Sequence, residues 1–338
     1  MVVNTFFNNK LAPSNYLGGV SLFSHCLPCC CAILALFITS NVVAATPAKI
    51  IAITSGTSPI YDQVIEQMNK SLEATCANES IACLKADQVI RISLNTKDIA
   101  SLTSKAAPDL VITLGSRAAR GVATASIKSP TLYTLLPEST FNDLPNCCQP
   151  QNISSIFLNQ PLERQIRLIK TALPQHTRLG VIYGPSSQHT APHIKALAEK
   201  AGLHLESMVI ENRAGVGAAL RQLLKRIDVL LTLPDPEVYS KQTVFNVLLS
   251  SYHNGVPVVG FSKGYVKAGA LFALYSTPEQ IGHHLADVVQ QYFSSGEQLL
   301  PPPHYPTYFS VVTNKSVARS FKITLPTEKA LRNSLLDK

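Results

Sequence analysis

Three short apolar runs near the middle of the second half constrain this chain more than any other feature. Asp228–Leu233, Val256–Phe261 and Ala268–Leu274 are rich in Val, Leu or Ala, and each is too short to stand alone as a helix. Runs of this kind, bounded by turn residues, fit strands covered on both faces and therefore a parallel sheet. Pro234-Asp235-Pro236-Glu237 follows the first run and Ser262-Lys263-Gly264-Tyr265 follows the second. Polar residues thus stand just past the carboxyl ends of buried strands, where open α/β sheets bind ligands. A cleft at these tips is expected, and the rest of the chain has to supply its other wall.

The upstream sequence supplies the pattern for one. Lys49–Thr54 reads as a buried strand, and Ser55-Gly56-Thr57-Ser58-Pro59 turns into a helix with Ser58 as cap and Pro59 at the first helical position. Tyr61, Val64, Ile65, Met68 and Leu72 then share one helix face. Val89–Leu94, Asp109–Leu114, Thr131–Leu135 and Ser154–Leu158 read as further strands, the second of these running into Gly115-Ser116-Arg117 at a helix start. The pattern restarts at Pro161, with a helix presenting Leu162, Ile166, Ile169 and Leu173, then a strand at Arg178–Tyr183 and the turn Gly184-Pro185-Ser186-Ser187. A helix carrying Ile194, Leu197 and Ala198 ends at Gly202, followed by a strand at Leu205–Ile210 and a helix around Val216–Arg226. Strand, Gly/Ser turn, helix and strand recur at an offset of roughly 120 to 130 residues, as in two stacked Rossmann-like lobes. Pro278–Phe293 reads as an amphipathic helix, the triple proline Pro301–Pro303 as a break, and Tyr308–Thr313 as a last strand. At 338 residues the chain has the length for two such cores.

Charge narrows the partners. The chain carries a net charge of +8 with 15% charged residues, yet Lys and Arg are scattered and never interleave with aromatics along a track, so no nucleic-acid partner is expected. Residues 1–45 contain no acidic residue and a single Lys, and Cys29–Val43 is apolar and ends in Val43-Ala44-Ala45, a small-residue pattern suited to cleavage after Ala45. Export is the expected meaning, with residues 1–45 as a signal peptide and an uncleaved membrane anchor as the alternative. In an oxidising compartment Cys76, Cys83, Cys147 and Cys148 become disulfide candidates, with Cys76 to Cys83 the preferred pair and four free thiols the plainer reading. No His accompanies either pair, so no metal is expected.

The turns at Ser55–Ser58, Gly115–Ser116, Gly184–Ser187, Asp235–Tyr239 and Ser262–Tyr265 share a physical logic. A hydroxyl beside free backbone N–H groups at a helix start seats a carboxylate or another polar group, and the same hydroxyl can simply cap its helix. Asp235, between two prolines, either binds a ligand amine or caps a helix beginning near Glu237, and the residues leave both open. Tyr61, Tyr183, Tyr239 and Tyr265 lie near these turns and either sandwich an apolar ligand or belong to the core. His283 and His284 read as a solvated face. The chain has no G-x-G-x-x-G after a strand, no G-x-x-x-x-G-K-[ST], no G-x-S-x-G and no H-E-x-x-H, so no cofactor, catalytic residue or enzyme activity is expected.

Three stretches carry a family resemblance: PLERQIRLIKTALPQHTRLGVIYGPSS at 161–187, DVLLTLPDPEVYSKQTVFNVLLSSYHNGVPVVGFSKGYVKAGALFAL at 228–274, and PEQIGHHLADVVQQYFSSGEQLLPPPHYPTYFSVVTNKSVARSFKITLP at 278–326. The last joins an Ile-Gly helix, a Ser-Gly-Glu turn and a proline-rich crossover to Asn314, Ala318, Ile323 and Pro326. In these stretches the chain resembles substrate-binding proteins of ABC-type transport systems with the type I periplasmic-binding fold, in the branch that includes tryptophan- and tyrosine-binding members. The region Leu135–Gln151 departs, lacking the Asp-Pro and Gly-Gly-Asn elements often seen there.

The resemblance implies an α/β protein of two lobes with parallel sheets flanked by helices, joined by hinge crossovers. The lobes would be 48–160 with 277–303 and 161–276 with 304–326, leaving 327–338 as a tail. Ser55, Thr57, Ser116, Ser186, Asp235 and Ser262 would face one another across the cleft. It further implies a periplasmic monomer that captures a small organic solute, an amino acid or similar zwitterion, for an ABC permease. The alternatives are a ligand-sensing partner of a membrane sensor protein, a two-lobed transferase and a ligand-free scaffold.

Overall fold

A computed structural model describes residues 48–76, 89–93, 107–125, 127–145, 153–295 and 297–336. Residues 1–45, Cys83, Cys147 and Cys148 lie outside the described residues, as does the side chain of Cys76, so the expected leader and disulfide fall outside them too.

The first sheet is built from β1 (Ile50–Thr54), β2 (Val89–Ser93), β3 (Leu110–Leu114), β4 (Thr131–Thr134) and β5 (Ile153–Ile156), in the order β2-β1-β3-β4-β5, all parallel. β1, β3, β4 and β5 are buried along their whole length, which is why they read as continuous apolar or Thr/Ser runs and not as alternating ones. The second sheet is built from β6 (Arg178–Tyr183), β7 (His204–Val209), β8 (Val229–Leu231), β9 (Val258–Gly260), β10 (Phe272–Tyr275) and β11 (Ser310–Thr313), in the order β11-β10-β9-β8-β6-β7. It is parallel except for β11, which runs antiparallel to β10.

Each sheet has a separate core on either face. The helix Pro278–Ser294 belongs with the first sheet: Ile281, Leu285, Val288 and Val289 pack with Ile50, Val64, Met68 and Leu110. It lies against the helix Pro59–Cys76 at backbone distance because Gly282 has no side chain. A Cβ there would stand 2.4 Å from the Val64 carbonyl oxygen.

The chain therefore passes between the sheets three times. It crosses after β5 on its way to the helix Leu162–Ala172, after β10 on its way to Pro278–Ser294, and after His304, which bridges to Ile156, on its way to β11. Two parallel-sheet lobes joined by crossovers form the type I periplasmic-binding architecture.

Several details differ from the sequence reading. The third apolar run, Ala268–Leu274, contributes only its second half to a strand; Lys263–Ala268 is a short helix ending at Gly269. Residues 236–243 form turns, and the helix after β8 is Val244–His253, so none begins at Glu237. The segment expected as a tail forms the helix Glu328–Ser334, with Leu331 and Leu335 in the second lobe's core. His284 is 5% exposed and not solvated, because the third crossover covers it: Thr307 N–H donates to Nδ1 at 3.4 Å and His304 Nε2 lies 3.3 Å from Nε2.

Candidate functional site

Both sheets reverse their winding beside their first strand, between β1 and β3 in one and between β6 and β8 in the other. At such switch points the loops after the two flanking strands diverge and leave a crevice at the carboxyl ends. The sequence candidates fall at these places.

In the first lobe, Ser55 follows β1 and its Oγ accepts from the Ala118 N–H at 2.8 Å, tying it to the start of the helix Ser116–Thr124. Gly115 precedes that helix with φ 93°, and a Cβ on it would stand 2.6 Å from Ser55 Oγ and 2.8 Å from the Tyr61 hydroxyl. Ser55, Tyr61 and Ser116 thus gather around one glycine turn. Thr57 is exposed beside them.

In the second lobe, Asp235 is 2% exposed and its carboxylate knits the loops after β6 and β8. Oδ2 accepts from the Ser186 N–H at 3.0 Å and the Ser187 hydroxyl at 2.9 Å, while Oδ1 accepts from the Glu237 N–H at 3.0 Å. These bonds satisfy backbone donors at the turn, so the charged group is used within the chain. Tyr183 is 1% exposed inside the core beneath, and burial pushes its phenol up to about 12. Tyr239 is 6% exposed; its ring meets Phe261 edge-on, that of Tyr265 lies tilted against Phe261, and the Tyr265 hydroxyl donates to the Tyr239 carbonyl at 3.2 Å. Burial holds both phenols well above the usual range. Ser262 caps its helix, Oγ accepting from the Tyr265 N–H at 3.4 Å.

Between the lobes lies a small cleft, open to solvent. One wall is Pro137, Glu138 and Ser139 after β4; the other is Ser186, Ser187, His189 and Thr190 after β6, with Leu233 and Pro234 after β8. Asn159, Gln160, Leu162 and Gln165, from the first crossover and the helix it enters, form the floor. Of the ten candidates Ser186 lines this cleft. The strand ending at Thr134 is followed by Leu135-Leu136-Pro137-Glu138, the same strand-then-Pro-acid order as Leu233-Pro234-Asp235, so the signal for Glu138 was present in the sequence. The floor carried no such signal.

The floor is also bonded to the other two crossovers. Gln160 Nε2 donates to Ser276 Oγ at 2.9 Å, and Ser276 Oγ donates to the Tyr308 carbonyl at 2.6 Å, linking all three crossovers in sequence. Arg164 Nη1 donates to Gln160 Oε1 at 2.6 Å and to the Pro306 carbonyl at 3.1 Å, with its guanidinium 4.1 Å above the Phe309 ring. Among the described residues no cluster of His, Cys, Asp or Glu could hold a metal ion.

The family model for ABC transporter substrate binding proteins matches residues 92–333. A curated relative, a tyrosine-binding protein from Clostridioides difficile (strain R20291), is 22% identical over 198 residues, 57% of this chain and 57% of the relative. The chain thus spans just over half the length of the curated relative it matches. Among solved structures, a ligand-free, open substrate-binding protein with adhesive properties from Clostridium difficile matches with TM-score 0.65 and 19% identity, covering 83% of this chain and 97% of that one. An ABC domain in complex with L-Trp from Streptococcus pneumonia matches with TM-score 0.58 and 19% identity, covering 86% and 98%. At these identities the solved structures speak to the fold.

Proposed function

This chain belongs to the ABC transporter substrate-binding protein family, and from that premise we propose that it is an exported protein that captures a small organic solute, an amino acid or similar zwitterion, in the cleft between its lobes and delivers it to an ABC-type importer. The observation that carries this reading is the cleft itself. Loops from the carboxyl ends of strands in both sheets line one space, and its floor is made of the crossover about which lobes of this architecture move. Taken as 48–160 with 277–303 and 161–276 with 304–326, the lobes close over the solute and exchange its hydration for hydroxyls and amides such as Ser139, Ser186, Thr190 and Asn159. The related tyrosine-binding protein and the L-Trp complex support an aromatic amino acid as the first solute to try.

Residues 1–45 supply the export signal in this reading, and the protein works as a periplasmic monomer. No helix among the described residues is long and apolar enough to cross a membrane. Ser55, Thr57 and Ser116 form the far rim on the first lobe, met on closure by Ser186 and Ser262, while Asp235, Tyr61, Tyr183, Tyr239 and Tyr265 hold the turns that present them.

The test is a calorimetric and thermal-shift screen of the purified protein against amino acids and aromatic metabolites. A solute at a hundredfold excess over its Kd should stabilise the protein by about 2.7 kcal/mol. If no solute in the panel stabilises it, the reading fails.

A further inference from the structure

Among the described residues lining the cleft, Glu138 is the one carboxylate, and no lysine or arginine accompanies it. Asp235, also at a strand tip, is buried and its oxygens are occupied by Ser186, Ser187 and Glu237, and the Glu237 carboxylate accepts from Arg213. The apolar lining of Leu162 and Leu233 offers nothing to a charge, and the Ser186 to Thr190 wall offers hydroxyls and the His189 imidazole. Glu138 therefore sets the sign of the cleft.

Its placement is fixed from two directions. The backbone N–H donates to Asn159 Oδ1 at 2.9 Å, and side-chain Oε2 accepts the Tyr305 phenol at 2.5 Å. Asn159 lies on the first crossover and Tyr305 on the third. Burial, and then the bond to Glu138, push the Tyr305 phenol up, so it keeps its proton and acts as a donor. A carboxylate offers about four lone-pair sites, so one phenol leaves most of them for a second partner. When the lobes close and water leaves, a carboxylate without a cation is costly.

We propose that Glu138 is the specificity-determining counter-ion of the cleft, selecting solutes that carry a primary ammonium group, and that Tyr305 positions it. This rests on the reading of the cleft as the solute site. The ammonium group makes charge-assisted hydrogen bonds to the carboxylate, while no lysine or arginine lines the cleft to meet the opposite end of the solute. Discrimination is therefore set at the amine, whether the solute is an amino acid or a simple amine. Tyr305 and Asn159 belong to crossovers, so an ammonium held by Glu138 is held by a residue bonded to the hinge itself.

Three probes with the same ring separate the sources of binding: L-tyrosine, with both charged groups, tyramine, with the amine alone, and 3-(4-hydroxyphenyl)propionate, with the acid alone. Calorimetry on the full chain should show tyrosine and tyramine binding at least about tenfold more tightly than the acid, a difference of about 1.4 kcal/mol. Glu138→Gln should weaken both amines by about tenfold and leave the acid within about threefold, collapsing the preference. Tyr305→Phe should narrow the same ratio by a smaller factor. A loss of fold lowers all three affinities together, so the ratio reports positioning and not stability. The acid binding as tightly as the amines, or Glu138→Gln retaining the wild-type preference, overturns the proposal while leaving the solute site intact. Binding by none of the three probes overturns the proposal, and the wider solute panel then decides whether the solute reading stands.

Discussion

Gly115 shows how one residue sets a strand tip. Its φ of 93° with ψ of 160° falls where side-chain-bearing residues are strained, and the space a Cβ would take is filled by the hydroxyls of Ser55 and Tyr61. Gly115→Ala should lower stability by about 2 to 3 kcal/mol in urea denaturation. A change below about 0.5 kcal/mol would mean that the turn relaxes freely and does not fix those hydroxyls. The pairing of Ser55 with the helix at Ser116 was legible only in part: both turns read as strand tips, but their contact depends on β1 and β3 being neighbours. Asp235 gives the complementary lesson. Its sequence allowed an amine ligand or a cap, and neither reading named Ser186 and Ser187, about fifty residues away, whose N–H and hydroxyl donate to its carboxylate.

At the scale of the element, the helix Pro278–Ser294 was readable from its apolar spacing, and the structure adds a capping box at Thr277 and Gln280. That spacing also places His284 on the buried face, between Ile281 and Val288, but the chemistry of the residue argued for solvent. The structure accommodates it as a neutral ring. Nδ1 accepts from Thr307 N–H, so Nε2–H is the donor facing His304 Nε2, whose own Nδ1 lies 2.8 Å from the Pro302 carbonyl. Burial and the neighbouring His304 push His284 down to about 4 from an ordinary value of 6.5. Of the charged groups around it, Asp287 opposes that shift and His283 adds to it. The unfolded chain then binds a proton that the folded chain refuses between those two values, so stability falls as pH drops from about 6.5 towards 4 and levels off below. The whole displacement is worth on the order of 3 kcal/mol. Melting curves across this window should be steeper for the wild type than for His284→Asn, and equal slopes would place the titration elsewhere.

For the whole molecule, the crossovers decide how the lobes communicate. Arg164 holds the first crossover to the third through neutral partners, Gln160, the Pro306 carbonyl and the Phe309 ring, and burial draws its guanidinium down from its usual range. Arg164→Met keeps most of the stem and removes these bonds. It should cost about 1 to 3 kcal/mol and widen the range of lobe separations without solute. Small-angle scattering should then report a larger radius of gyration for the variant; identical scattering profiles and melting points would show that the arginine does not restrain the hinge.

The sequence by itself determined the alternation of strand and helix, the burial of the sheets and the position of polar turns at strand tips. Those features follow from the spacing of apolar residues over one or two turns of chain and from local capping. Only the tertiary structure decided that Glu138, Asn159, Ser186 and Leu233 line one cleft, that Tyr305 reaches Glu138, and that the last helix closes a core. Those residues are brought together by strand order and by three chain crossings, which are settled by the summed burial of distant segments and leave no mark on the local pattern of any one of them.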